Sequence, residues 1–257
     1  MQAEGNFFTH GGMTDRDVLT QEALTYDSGM NCSLSRGKPL VVNGYGIAQD
    51  DLPHFDAGPI DLSAWFPAER RGLALELEIG SGKGTFLVQQ AETASGRQVN
   101  YLGLEYARAF WRYAADRARR HNLENVRLVH AEASFFLRNY VAEKVLRRIH
   151  IYFPDPWPKK RHHKRRLIQA SFLRELHRVL DSPVDDPNAG EVRIATDHED
   201  YFRWMGEHAA QVADLFERLP FENPESAAEG ELVGTNFERK YRREARPFFA
   251  LILKKLP

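Results

Sequence analysis

A group of glycines at the end of an apolar segment is the first pattern in this sequence that could do chemistry. The segment LALELEIG leads into Gly80, Gly82 and Gly84, and residues 85–94 then have the spacing of an amphipathic helix. Glycine lets a backbone turn tightly and approach a ligand closely, because no side chain stands in the way. The stretch predicts a buried strand, a ligand-binding turn and a helix.

Three kinds of ligand site have glycine turns of this sort. The phosphate loop of nucleotide kinases requires a glycine where Leu77 stands, and a nicotinamide or flavin site requires a small residue where Thr85 stands. The order E-x-G-x-G-x-G that begins at Glu78 resembles the turn of class I S-adenosylmethionine-dependent methyltransferases. A carboxylate at this position can bind the ammonium group of that cofactor, and the alternative is an exposed acid at a strand end.

Two further acids follow predicted strands. Glu105 comes after residues 99–104, where folds of this kind commonly bind ribose hydroxyls. The alternative for Glu105 is an acid that stabilises a helix N-terminus. Glu132 follows the strand predicted over 126–130, and it can reach the exocyclic amine of an adenine or be an ordinary loop acid.

The strongest pattern is the run PDPWPKKRHHKRR, which follows a strand predicted over 148–153. Its three prolines stiffen the chain, so Asp155 and Trp157 are presented from a rigid loop at the carboxyl end of a strand. Six of the eight residues 159–166 are Lys or Arg, which indicates a surface for a polyanion. His162 and His163 lack the spacing of metal ligands, so no metal is expected.

These residues require parallel strands whose carboxyl ends meet, with helices between the strands. Helices are predicted over 85–94, 107–121 and 167–180, and strands over 99–104, 126–130, 148–153, 191–196 and 248–253, besides the strand before Gly80. Residues 1–60 have weak periodicity, with a helical turn over 19–24 and a short strand over 38–42, and are predicted to be an extension of low regular structure. Residues 61–257 are predicted to be one α/β domain.

Composition limits the class of protein further. The net charge of −1 is compatible with nucleic-acid binding, because the basic residues are clustered. No apolar run approaches the ~20 residues of a membrane span, and the N-terminus lacks the features of a secretory signal. The single cysteine, Cys32, excludes an intramolecular disulfide. We therefore expect a cytoplasmic protein without a membrane or metal partner; monomer and homodimer stay open.

Together, EIGSGKG and FPDPWPKKRHHKRR resemble the bacterial tRNA (guanine-N7)-methyltransferase family. Two later segments, ATDHEDY from Ala195 and GTNFERKY from Gly234, are similar to the A-T-D-x-x-x-Y and T-x-F-E segments of that family. The resemblance covers residues 60–257. It implies an α/β, Rossmann-like class I fold with a mostly parallel seven-stranded sheet flanked by helices, S-adenosylmethionine as cofactor, and methylation of a guanine in the variable loop of tRNA.

The resemblance also implies roles for particular residues. The residues implied to hold the cofactor are Glu78, Gly80, Gly82, Glu105, Glu132 and Asp155. Those implied to touch the RNA are Lys159, Asp197, Thr235 and Glu238. Two features depart from the family: Glu132 replaces its usual aspartate, and residues 1–60 carry eight acids and three bases where its N-terminal arm is generally basic.

The chemistry of guanine N7 suits such a site. N7 carries an unprotonated lone pair, so the main task is placement, and a fixed carboxylate becomes more favourable as the base gains positive charge. Asp155 is the candidate for that carboxylate, and it can also accept hydrogen bonds from the N1 and N2 edge of guanine. The alternatives are a methyltransferase for another base or for protein, and an RNA-binding module without turnover.

Overall fold

The computed structural model describes residues 39–183 and 185–256 of the 257-residue chain. The helical turn predicted over 19–24 lies outside these residues. The strand predicted over 38–42 does not form at residues 39–42. These residues lead into a turn over residues 43–45, where Gly44 has φ +78° and the N–H of Gly46 donates to the carbonyl of Val42 at 2.8 Å. A two-residue strand, β1 (Gly46–Ile47), follows this turn. The domain boundary near residue 60 stays a prediction.

One mixed sheet forms the centre of the described chain. Its other strands are β2 Leu75–Ile79, β3 Asn100–Glu105, β4 Val126–His130, β5 Leu146–Tyr152, β6 Glu191–Thr196, β7 Phe216–Leu219 and β8 Phe249–Lys255. The order is β1-β4-β3-β2-β5-β6-β8-β7, and β8 is antiparallel to both of its neighbours. The predicted seven-stranded, mostly parallel sheet is confirmed, and β1 extends it by one short strand.

The strand order reverses beside β2, which lies between β3 and β5. In open α/β sheets, ligands bind at such a switch point, outside the carboxyl ends of the strands. Ile79 at the end of β2 pairs with Ile151 near the end of β5. The glycine turn after β2 and the Asp155 loop after β5 therefore start from adjacent strands.

Six α-helices flank the sheet in the described residues: α1 Thr85–Glu92, α2 Arg108–Arg120, α3 Ala133–Tyr140, α4 Ala170–Val179, α5 Glu199–Ala210 and α6 Asn236–Arg242. The helix predicted from residue 167 begins at Ala170, because Gln169 is still extended with φ −135° and ψ 157°. None of the helices in this part of the chain is long and apolar enough to cross a membrane.

A charged group is buried in the sheet beneath the site. Glu76 in β2 is 2 % exposed and lies 2.9 Å from Nε2 of His150, and it also forms an ion pair with Arg147. Burial opposes ionisation of Glu76, but the hydrogen bond with His150 and the nearby arginines outweigh it and lower its pKa to about 2. Paired in this way, Glu76 stays charged inside the sheet.

Candidate active site

The glycine turn is shaped by backbone that other residues rarely adopt. Gly80 has φ +75° and Gly82 has φ +52°, and the N–H groups of Gly80 and Ser81 both donate to the carbonyl of Leu104 at the end of β3. A Cβ added to Gly80 or Gly82 would meet no atom within 4 Å. The turn therefore leaves open space over its backbone, which fits a ligand that approaches the main chain closely.

Two buried polar atoms on this turn have no protein partner. Oε2 of Glu78 and Oγ of Ser81 neither accept nor donate a hydrogen bond. Both residues are buried, since Glu78 is only 4 % and Ser81 only 5 % exposed. Burial, and then the charge of Glu105, raise the pKa of Glu78 well above its usual range. Buried polar groups are normally hydrogen-bonded, so unpartnered ones beside an open turn fit a bound cation or hydroxyl. The residues present thus fit the cofactor that the sequence predicts.

Glu105 connects the turn to the next helix. Its Oε2 accepts from the N–H of Gly82 at 2.7 Å and its Oε1 from the N–H of Ala107 at 2.7 Å. Burial raises the pKa of Glu105 in spite of these bonds. The alternative interpretation, an acid at a helix N-terminus, describes the contact that Glu105 makes before α2; its contact with ribose stays a prediction.

Glu132 is an exposed residue at the start of α3. Its carboxylate accepts from the N–H groups of Ser134 at 2.9 Å and Phe135 at 2.7 Å, so it caps the helix. Sequence reasoning treated this position as a loop and missed α3. A contact of Glu132 with adenine stays a prediction.

The loop after β5 holds Asp155 between two strained residues. Phe153 has φ +54° and Trp157 has φ +43°, a region that costs a non-glycine residue roughly 1–3 kcal/mol and persists only where surrounding contacts hold it. The N–H of Phe153 donates to the carbonyl of Ala195 at 2.8 Å. Asp155 is exposed, yet the protein around it displaces enough water to raise its pKa. The loop thus presents the Asp155 carboxylate beside Glu105. The negative charge of Asp155 also raises the pKa of Glu105.

The basic run continues from this loop as a short 3-10 helix, Lys160–Arg165. Of the six Lys and Arg residues of 159–166, five are exposed. The guanidinium of Arg165 lies 5.2 Å from the ring centroid of Trp157. The sixth, Arg166, is buried. Exposed cations next to Asp155 form a positive surface beside the site. In the described residues, no group of His, Cys, Asp and Glu could hold a metal ion.

The remaining predicted substrate residues lie after β6 and around α6. Asp197 forms an ion pair with Arg246, whose Nη1 lies 3.1 Å from Oδ2. Oγ1 of Thr235 accepts from the N–H of Glu238 at 3.1 Å and so caps α6. The Glu238 carboxylate is 0 % exposed and accepts from the N–H groups of residues 232, 233 and 234. Contacts of these three residues with RNA stay predictions, as does a contact of Lys159, which is exposed.

The sequence did not predict the aromatic contact that joins the Asp155 loop to α6. The ring of Phe153 stacks on that of Phe237 at 4.8 Å between centroids, and Arg246 lies over Tyr241 at 3.8 Å. Phe237 is 37 % exposed, although it is a large apolar residue. The sequence did contain one sign of this contact, because Phe237 lies between Thr235 and Glu238, two residues predicted to touch the RNA.

The strand order and the glycine turn at the switch point define the class I S-adenosylmethionine-dependent methyltransferase fold. Comparison with known proteins gives the family. A family described as "Putative methyltransferase" matches residues 74–251. The tRNA (guanine-N(7)-)-methyltransferase of Thermotoga maritima is 32 % identical over 84 % of this chain and 63 % of that protein, and that of Thermus thermophilus is 37 % identical over 77 % and 60 %.

A third relative is covered more fully. The tRNA (guanine-N(7)-)-methyltransferase of Alkalilimnicola ehrlichii is 35 % identical over 77 % of this chain and 78 % of its own length. The chain belongs to the tRNA (guanine-N(7)-)-methyltransferase family. It spans less than two thirds of the length of the Thermotoga and Thermus relatives.

Proposed function

We propose that this protein transfers a methyl group from S-adenosylmethionine to N7 of a guanine in the variable loop of tRNA. The observation that carries the proposal is the pairing of two features at one switch point. One is Glu78, a buried acid at the end of β2 with one unpartnered carboxylate oxygen beside the open glycine turn. The other is the loop that presents the Asp155 carboxylate and continues into exposed cations. Family membership supports the same reaction.

The cofactor would be held by the turn after β2. When bound, S-adenosylmethionine supplies an electrophilic sulfonium methyl group. Glu78 would bind its ammonium group through Oε2, and Gly80 and Gly82 would give its methionine portion room against the backbone. Glu105 would bind ribose with its remaining acceptor capacity while it holds the turn, and Glu132 would lie beside the adenine.

Asp155 would act on the guanine rather than on a proton. N7 needs no general base, because its lone pair is unprotonated at neutral pH. The purine gains positive charge as the new bond forms, so a fixed carboxylate stabilises the transition state more than the ground state. The reduced hydration that raises the pKa of Asp155 also strengthens the interaction of its carboxylate with a nearby cation.

The exposed cations of residues 159–165 would bind phosphates. Such contacts position an RNA without reading its sequence and make affinity depend on salt. Lys159, Asp197 and Thr235 would line the path of the RNA next to Asp155, and the buried Glu238 would act through residues 232–234, whose N–H groups it holds. A tRNA substrate and a single cysteine both favour the cytoplasm as the compartment. Either a monomer or a homodimer would present this surface.

The test is transfer of labelled methyl groups from S-adenosylmethionine to unmodified bulk tRNA, followed by digestion and identification of the labelled nucleoside. Label in 7-methylguanosine is the expected result, and Asp155→Asn is the matched control that should lose it. Label in another nucleoside would overturn the specificity and keep the fold. Measurable cofactor binding without label would point to another acceptor or to a binding module without turnover.

A further inference from the structure

The basic run after the Asp155 loop contains one cation that faces the protein. Arg166 is 1 % exposed, whereas the other five Lys and Arg residues of 159–166 are exposed. An arginine with that little exposure has no surface left for a phosphate. Its role therefore has to be found among its protein contacts.

Two nitrogens of the Arg166 guanidinium donate hydrogen bonds, and the guanidinium also lies close to two aromatic rings. Nε donates to the carbonyl oxygen of Pro156 at 2.9 Å, and Nη2 donates to Oδ2 of Asp200 at 2.5 Å. The guanidinium carbon lies 5.0 Å from the ring centroid of Tyr201 and 5.3 Å from that of Trp204. Asp200, Tyr201 and Trp204 all belong to α5, so Arg166 joins the Asp155 loop to that helix.

We propose that Arg166 is a positioning residue that holds Asp155 in place through the Pro156 carbonyl. Pro156 is bonded directly to Asp155, and the loop carries left-handed backbone at Phe153 and Trp157, on both sides of these residues. Backbone of this kind persists where neighbouring groups fix it, and Arg166 contacts the loop between the two strained residues. The proposal rests on the proposed function for its assay, because the reaction measured is methyl transfer.

Lysine cannot replace the arginine in this arrangement. A guanidinium is a planar fork that can donate to two acceptors while it lies between aromatic rings. A lysine ammonium at residue 166 would keep the charge near Asp200 but lose the simultaneous bond to the Pro156 carbonyl. Arg166→Lys therefore separates the anchoring of the loop from the charge.

The experiment measures the kcat and KM of Arg166→Lys for tRNA methylation, with the salt dependence of tRNA binding and the cofactor Kd. We expect kcat to fall by ~10- to 100-fold, because displacement of a reacting group by about 1 Å can cost 10²-fold. Cofactor Kd and the salt slope should stay close to those of the wild type. The matched control is Lys164→Ala, in the same run but exposed, which should raise KM and make the salt slope shallower by about one unit.

A second variant and a second readout separate anchoring from general stability. Asp200→Asn removes the charge that fixes the Arg166 guanidinium, so it should weaken but not delete the Arg166 bond to Pro156, and it should lower kcat less than Arg166→Lys does. Hydrogen exchange of peptides that cover Phe153, whose N–H donates to the carbonyl of Ala195 at the start of the loop, should be faster in Arg166→Lys than in the wild type. If Arg166→Lys fails to fold, the same exchange and kcat measurements on Asp200→Asn decide: unchanged values overturn the proposal, and a partial loss of both supports it.

Three results would overturn the proposal. A shallower salt slope with an unchanged kcat would make Arg166 a phosphate ligand, and a cofactor Kd that weakens as much as kcat falls would make its role structural. Unchanged exchange in the loop would exclude anchoring. If wild-type protein labels a nucleoside other than 7-methylguanosine, the proposed function fails, while the effect of Arg166→Lys on kcat for that nucleoside still tests the positioning role.

Discussion

The two edges of the site are built in different ways. At the cofactor edge, N–H groups of residues 80, 81, 82 and 107 donate to the Leu104 carbonyl or the Glu105 carboxylate, both in the last two residues of β3. At the substrate edge, the Asp155 loop is held by Arg166, which is itself bonded to Asp200 in α5, and by Phe237 in α6. A local sequence pattern can therefore specify the first edge, whereas the second depends on the packing of several helices.

Two buried glutamates also differ in how many hydrogen bonds their carboxylates accept. Glu78 has a carboxylate oxygen without a partner, whereas Glu238 uses its carboxylate to bind three backbone N–H groups and Arg242. Both side chains are buried, yet one carboxylate has an oxygen that lacks a hydrogen-bond partner and the other has all of its acceptor sites occupied by the protein. An unsaturated acid is available for a ligand, and a saturated one stabilises the loop it binds.

The largest expected effect is on turnover at the substrate edge. Asp155→Asn keeps the size of the side chain and removes its charge. We expect kcat to fall by ~10²- to 10³-fold, because removal of one electrostatic contact to a transition state commonly lowers kcat by that factor. The cofactor Kd should stay within a few-fold of wild type, as titration by calorimetry would show. Normal turnover would remove Asp155 from the mechanism.

A smaller effect is expected on affinity at the cofactor edge. Glu78→Gln loses a charge-assisted contact of about 1.5–3 kcal/mol, which corresponds to ~10- to 100-fold weaker cofactor binding. Because a cation binds the ionised form, wild-type affinity should also rise with pH until Glu78 is ionised, and the variant should lack that part of the pH dependence. Equal affinities of the two proteins across pH would exclude Glu78 as a ligand.

The stability of the ligand-free protein should separate the two glutamates. The pKa of Glu78 is raised on folding, so the free energy of unfolding should fall as pH rises from the ordinary carboxyl range through that raised pKa. Glu78→Gln should remove this fall and stabilise the protein at neutral pH. Glu238→Gln should instead cost about 1–3 kcal/mol, because it leaves a buried N–H without its acceptor. Urea unfolding at several pH values measures both, and a stability loss in Glu78→Gln would contradict the comparison.

The smallest effect is expected from the exposed cations of the substrate edge. Lys159→Ala combined with Arg161→Ala should weaken tRNA binding and reduce the slope of log affinity against log salt by roughly one to two units. Filter binding at several salt concentrations gives that slope. An identical slope in wild type and variant would show that this surface does not face RNA.

Sequence patterns predicted the sheet well because apolar periodicity is local. The strands Val126–His130 and Glu191–Thr196 have the predicted bounds. Five elements were missed, namely β1, α3, α5, α6 and β7. The three helices begin directly after residues whose side chains cap them, Glu132, His198 and Thr235. Of these, Glu132 and Thr235 were considered as ligand contacts.

The partners of the site residues could not be predicted from spacing. Whether a buried acid is saturated depends on which backbone N–H groups the fold brings to it, as Glu78 and Glu238 show. The inward direction of Arg166 depends in the same way on α5, which lies more than 30 residues later. A run of six cations gives no sign that its last member belongs to the interior.

The two edge strands of the sheet affect the tendency of the protein to aggregate at high concentration. Among the described residues the sheet begins with β1, two residues long, and ends with β7, four residues long and exposed at Glu217 and Arg218. Long, apolar strand edges promote pairing between molecules, whereas short or charged edges oppose it. Aggregation through added strands is therefore disfavoured at both margins of this sheet.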